Sequence, residues 1–131
     1  IGAIAVSPKF KASYGLLGTT FGGNHLACAA AVSVLEVIQE EKLLANAEKV
    51  GSYLISELNK FDKIEEVRGR GLMIGFDLPA ELAHVKKDLL FKDRIFTGEA
   101  KPNVIRILPA LNITTAIADQ FLTALDQRLK A

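Results

Sequence analysis

Two groups of residues have the types and spacing that chemistry uses. The first is Gly18-Thr19-Thr20-Phe21-Gly22-Gly23-Asn24, directly ahead of a long apolar segment with helical character. Glycines let a backbone approach a ligand closely, hydroxyls donate to anionic oxygen, and a helix start offers free N–H groups and positive dipole potential. That combination suits a phosphate. The same residues also read as a glycine-rich connection whose threonines satisfy only nearby backbone groups. There is no Lys-Ser/Thr ending of the kind that nucleotide-triphosphate loops carry. The second group is Arg106 within Val104-Ile105-Arg106-Ile107-Leu108. Burying a guanidinium is costly unless an anion pairs with it, so an arginine in an apolar strand invites a carboxylate ligand. On an edge strand the same side chain would point into solvent instead.

Other candidates carry less. In Arg68-Gly69-Arg70-Gly71 the G-x-G lies between strands and opens no helix, which fails as a dinucleotide site. As an RNA-recognition submotif the segment puts Leu72 where a stacking aromatic belongs. It reads as a tight turn with exposed guanidiniums. His25, Cys28 and His84 have no metal-ligand spacing, so no metal site is expected, and Cys28 is expected to pack as a small hydrophobe. Glu40-Glu41 and Glu65-Glu66 read as solvated surface.

The elements that must position these residues follow from periodicity. Ile4 to Val6 reads as the end of a buried strand, and residues 8 to 23 as a loop region. Asn24 can cap a helix that is apolar on nearly every face from Leu26 to Ile38, as a helix buried between layers would be. Leu43, Ala47, Val50, Leu54 and Leu58 give a second, amphipathic helix over about 42 to 60. Ile64 to Arg68 and Leu72 to Leu78 read as neighbouring strands, partners in an antiparallel pair. Leu82, Val85, Leu89 and Leu90 give a short helix, Ile95 to Thr97 a strand, 98 to 103 a turn, and Val104 to Leu108 another strand that Pro109 stops. Thr114 or Thr115 can cap a last helix with Ala118, Phe121, Leu122, Leu125 and Leu129 on one stripe. The order implies an α+β fold with helices packed on a small, mainly antiparallel sheet.

Composition excludes several classes. The 131 residues are 50% hydrophobic and 24% charged, with 16 Lys and Arg against 15 Asp and Glu. A length in the range of one domain and a net charge of +1 leave no footprint for nucleic acid or an anionic membrane. The stretch from Leu26 to Leu35 falls short of the roughly 20 residues a membrane span needs. One cysteine excludes an internal disulfide and fits a reducing compartment. The chain opens on Ile1 and its single methionine is Met73, so either the start has been removed or the chain is a piece of something longer.

Four ordered motifs carry a family resemblance. Ile1-Gly2-Ala3 resembles the tail of a K-x-L-G-G-G-x-P-I-G-A segment, and Gly18 to Asn24 with Leu26-Ala27-Cys28-Ala29-Ala30 follows it. Val67-Arg68-Gly69-Arg70-Gly71-Leu72-Met73-Ile74-Gly75 resembles V-R-G-x-G-L-M-x-G, and Asn103 to Leu111 resembles N-V-x-R-x-x-P-P-L. Together they resemble the C-terminal portion of class III, fold-type I, pyridoxal-phosphate-dependent aminotransferases, and within them the acetylornithine aminotransferases of arginine biosynthesis.

The resemblance implies that residues 1–23 trail from the large cofactor domain and that 24–131 form the C-terminal small domain. It implies pyridoxal 5'-phosphate as cofactor, N-acyl-ornithine and 2-oxoglutarate/glutamate as substrates, a homodimer and a cytoplasmic location. Thr20 matches a threonine that reaches the cofactor phosphate of the other subunit. Thr19 matches the neighbouring hydroxyl associated with the acylated substrate, and Arg106 matches the arginine that holds the substrate α-carboxylate. The family's Schiff-base lysine corresponds to a position upstream of Ile1, and Lys9 cannot replace it, so the chain alone is expected to be inactive. The acyl group, acetyl or succinyl, stays open. The alternative is a non-catalytic small domain acting as a binding or dimerisation module. His25 where most members have proline, Ala110 in place of the second proline, and the loop Phe96 to Ala100 depart from the common pattern.

Overall fold

The computed structural model describes residues 2–11, 13–15, 18–100 and 103–130. Ile1, and residues 101 and 102 of the turn expected at 98 to 103, lie outside the described residues. The chain forms two compact units, Ile1–Glu41 and Lys42–Ala131.

The first unit is a loop followed by helix α1, His25–Glu40. The Asn24 side chain accepts from the Ala27 amide at 2.9 Å and donates from Nδ2 to Phe21 O at 2.8 Å, which fixes the start of the helix. Three expectations change here. Ile4 and Val6 are exposed and belong to no ladder, because no described residue of the unit offers them a partner strand. None of the residues of α1 is buried, and Leu26 is 83% exposed. A single helix and a loop supply no second layer to cover an all-round apolar surface. Cys28, expected to be packed, is exposed for the same reason.

The second unit holds the core. Helix α2, Leu43–Leu58, buries Leu43, Ala47, Val50, Leu54 and Leu58, the stripe that the spacing predicts. Strands β1 (Val67–Arg70) and β2 (Met73–Asp77) form a hairpin, followed by a 3-10 turn at Ala80–Leu82 and helix α3, Val85–Phe91. Strands β3 (Gly98–Glu99) and β4 (Val104–Ile107) and helix α4 (Thr115–Lys130) complete the unit. The sheet is antiparallel throughout, in the order β1-β2-β4-β3. Ile74, Phe76, Ile105 and Ile107 project from one face into a core shared with Leu54, Leu89, Leu122 and Leu125.

Strand limits differ from the sequence reading for local reasons. The hairpin loop is two residues, Gly71 and Leu72, since Arg70 pairs with Met73. Gly71 has φ +55 and Leu72 does not share the positive sign, so glycine is needed at the first loop position only. β1 therefore runs through Gly69 and Arg70, while backbone bonds from Glu65 to Asp77 and from Asp77 to Glu66 carry the pairing back toward Ile64. Ile95 to Thr97 is not a strand. The Ile95 amide already donates to Leu89 O at 2.8 Å, closing the end of α3 after Arg94 turns at φ +59, and pairing begins only at Gly98.

Four contacts hold the helices in place. Gly51 of α2 meets the hairpin turn so closely that a Cβ there would lie 2.0 Å from Gly71 O. Asn46 donates to Leu111 O at 2.7 Å and to Ile113 O at 3.0 Å, fixing the segment before α4. Arg128 of α4 makes a bidentate ion pair with Asp93 beyond α3, at 2.8 Å and 2.6 Å. The Tyr53 hydroxyl donates to Asp119 across α2 and α4, and that hydrogen bond first of all pushes its pKa up to about 12.

Gly51→Ala separates packing from propensity. Alanine improves an exposed helix by about 1 kcal/mol over glycine. Here the overpacking against Gly71, about 1–3 kcal/mol, opposes it. A lower urea midpoint with an unchanged slope is expected, and a raised midpoint would refute the close contact. Acid dependence gives a second check. The Arg128 hydrogen bond holds the Asp93 carboxyl below its ordinary range. The pair thus contributes stability above the unfolded carboxyl value of about 3.9, and that contribution is lost as pH falls through the lowered folded value. Asp93→Asn should flatten the acid limb of the stability profile below about pH 4.

Candidate functional site

The two sequence-predicted groups fall in different units. In the first unit Thr19 and Thr20 lie in the bend before α1, exposed and without a described hydrogen-bond partner. The turn folds Gly22 onto Thr19: a Cβ at 22 would lie 2.0 Å from Thr19 Cγ2, so this position admits no side chain without a shift of Thr19. Gly23 follows at φ +70, and Asn24 caps the helix. The His25 and Leu26 amides, first in α1, have no described partner. Threonine hydroxyls shortly before the first amides of a helix are donor types that suit a phosphate.

In the second unit Arg106 lies on β4, an interior strand with β2 on one side and β3 on the other. By alternation Ile105 and Ile107 face the core, and Arg106 belongs to the opposite face of the sheet. The register places Arg68, Gly75, Arg106 and Gly98 in one row across that face. Both immediate neighbours of Arg106 are glycines, which leaves its long side chain room on a face otherwise set by its neighbours' side chains.

Charge compensation distinguishes Arg106 from the other four arginines. Arg68 pairs with Asp77 at 2.7 Å and Glu66 at 3.5 Å, and the hydrogen bond to Asp77 chiefly holds its guanidinium above the usual range. Arg128 is held by Asp93. Arg70 and Arg94 are exposed to water. Arg106 is half-buried, and among the described residues no carboxylate meets it. Its Nε is sealed from solvent without a hydrogen-bond partner. An unsatisfied donor of this kind costs about 1–3 kcal/mol, more for a charged group.

Two features escaped the sequence reading. Gly75, in the middle of β2, and Gly98, expected in a turn, are the neighbours that make room for Arg106. A glycine inside a strand pattern was the available signal. There is also an apolar cavity of about 240 Å³ between β4 and α4, lined by Ile107, Leu108, Phe96, Ile117 and Phe121. Thr97 at its wall has a buried hydroxyl without a partner, and Arg106 does not line it. Among the described residues no three His, Cys, Asp or Glu side chains are grouped to hold a metal ion, and no helix is long and apolar enough to cross a membrane.

The chain belongs to the class-III aminotransferases, whose family model matches residues 3–129. It is 38% identical over 109 residues to the acetylornithine aminotransferase of Nitrosomonas europaea, covering 80% of this chain and 28% of that protein. In three dimensions it is similar to the ornithine aminotransferase of Toxoplasma gondii, with TM-score 0.79 and 32% identity over 89% of this chain and 30% of that one. It is also similar to a lysine aminotransferase from M. tuberculosis in its internal aldimine form, with TM-score 0.76 and 31% identity over 87% and 28% of the two chains. The chain thus spans less than a third of the length of these relatives. The second unit, with its antiparallel sheet and helices, is the architecture expected of the C-terminal small domain in such enzymes.

Proposed function

We propose that the chain is the C-terminal part of a pyridoxal-phosphate-dependent, acetylornithine-type aminotransferase. Its reaction moves the δ-amino group of an N-acyl-ornithine to 2-oxoglutarate in arginine biosynthesis, in the cytoplasm. The observation that carries the reading is the half-buried, unpartnered guanidinium of Arg106, in a chain of the class-III family. Both substrates of such a reaction bring an α-carboxylate, and a planar fork of donors suits that group better than any other side chain does.

Within this reading residues 1–23 trail from the large cofactor domain, and 24–131 form the small domain. Arg106 clamps the α-carboxylate. Thr20 donates its hydroxyl to the cofactor phosphate of the other subunit in a homodimer, and Thr19 meets the acylated end of the substrate. Pyridoxal phosphate, when bound, supplies the electrophilic carbon and the electron-withdrawing ring that amino-group transfer needs. None of the chain's lysines occupies the family's position for the Schiff-base lysine, so the 131 residues alone are inactive in this reading.

In the whole enzyme Arg106→Ala should raise the Michaelis constants for both the amino donor and 2-oxoglutarate. A charge-assisted bond worth about 1.5–3 kcal/mol corresponds to roughly ten- to a hundred-fold. Cofactor affinity should change far less. Steady-state kinetics with both substrates check this, and unchanged constants would remove Arg106 from the site. Mixing the 131-residue chain with pyridoxal phosphate should give weak binding and no visible absorbance band of a lysine-bound cofactor. A stable band of that kind, abolished by Lys9→Ala, would overturn the assignment of the lysine to another segment.

A further inference from the structure

Arg106 is not placed evenly between its two glycine neighbours. On the β2 side, a Cβ built at Gly75 would meet only Ile105 O and Val104 Cγ1, each at 3.9 Å, and no atom of the guanidinium. On the β3 side, a Cβ at Gly98 would come within 3.3 Å of Arg106 Nε and 3.5 Å of Nη2. The side chain therefore leans across β3 and fills the place that a side chain at 98 would take. Its Nε is the one nitrogen of the three that is both sealed and without a partner among the described residues. The terminal nitrogens are what remain for a ligand.

We infer that Gly98 is a positioning residue: its missing side chain seats the Arg106 guanidinium on β3, with Nε turned inward and the terminal nitrogens set to take a substrate carboxylate end-on. The inference rests on the reading of Arg106 as the carboxylate clamp. A side chain at 98 moves the guanidinium back toward Gly75 and the already paired Arg68 in the same row. A methyl group forces a shift of a few tenths of an ångström, and a branched side chain forces more. Gly98 has no left-handed backbone angle, so alanine there tests space and not strain.

The test uses the whole enzyme with Gly98→Ala, Gly98→Val, Arg106→Ala and the double variant Gly98→Val with Arg106→Ala. Affinity for glutarate, a dicarboxylate that cannot react, is measured by calorimetry beside the kinetics of both substrates. Gly98→Val should weaken glutarate binding by about tenfold or more, as displaced recognition groups do, and Gly98→Ala by less. Michaelis constants for donor and acceptor should rise together while kcat, cofactor absorbance and Tm stay near those of the parent. In the Arg106→Ala background the valine should add nothing, since Gly98 acts through that guanidinium. Equal effects of the valine in both backgrounds would overturn the inference, as would no effect of either Gly98 variant where Arg106→Ala has a large one. Unchanged glutarate affinity in Arg106→Ala would overturn the carboxylate reading itself and the inference with it. Gly98→Ala keeps the test decisive if the valine variant fails to fold.

Discussion

The second unit is organised around a backbone-to-backbone contact. Gly51 of α2 rests on the carbonyl of Gly71 at the turn of the β1–β2 hairpin, at a separation that leaves no room for a single methyl group. That contact sets how deep α2 sits on the sheet, and hence which residues of β2 it covers. Ile74 and Phe76 go into the core beneath it, and Gly75 is turned to the other face. Because β4 pairs with β2 in fixed register, Ile105 and Ile107 join the core and Arg106 is carried to the outer face beside Gly75. The placement of one charged side chain thus depends on the packing of a helix against a turn on the opposite side of the sheet.

The guanidiniums of the second unit are compensated unevenly. Arg68 is neutralised by Asp77 and Glu66, and Arg128 is locked to Asp93, so these guanidiniums contribute to structure where they are. Arg106 instead keeps a sealed donor unmatched within its own described surroundings. Folding alone gains nothing from such an arrangement, because desolvation of a charged group is unfavourable and the usual remedy is a carboxylate across the strand. The neighbours across both strands are glycines, which can supply no counter-charge. In the function proposed above, the substrate carboxylate is the anion that is missing.

Much of this was legible in the residues themselves. The spacing of Leu43, Ala47, Val50, Leu54 and Leu58, and of Ala118, Leu122, Leu125 and Leu129, gave α2 and α4, because helices packed on one side leave a clean stripe. Asn24 as a cap was readable because its side chain is the one able to accept from the first turn. The strands were harder. β1 carries Gly69 and two arginines and has little β pattern, and its limits follow from a two-residue turn that depends on Gly71. β3 is two residues long, too short for any alternation, and without it β4 reads as an edge on which Arg106 simply faces water. The apolar surface of α1 was misread as internal to the chain, since hydrophobicity reports that a surface is to be covered and not which residues cover it.

The brevity of β3 has a further consequence, for the sheet as a whole. An antiparallel sheet ends in two edges whose free N–H and C=O groups can template the strand of another molecule. Here one edge is only two residues long, and the other, β1, displays Arg68 and Arg70 on its four. Neither presents the long, flat, apolar rim on which sheets join. The sheet that carries the guanidinium is thereby guarded against edge-to-edge growth with other molecules.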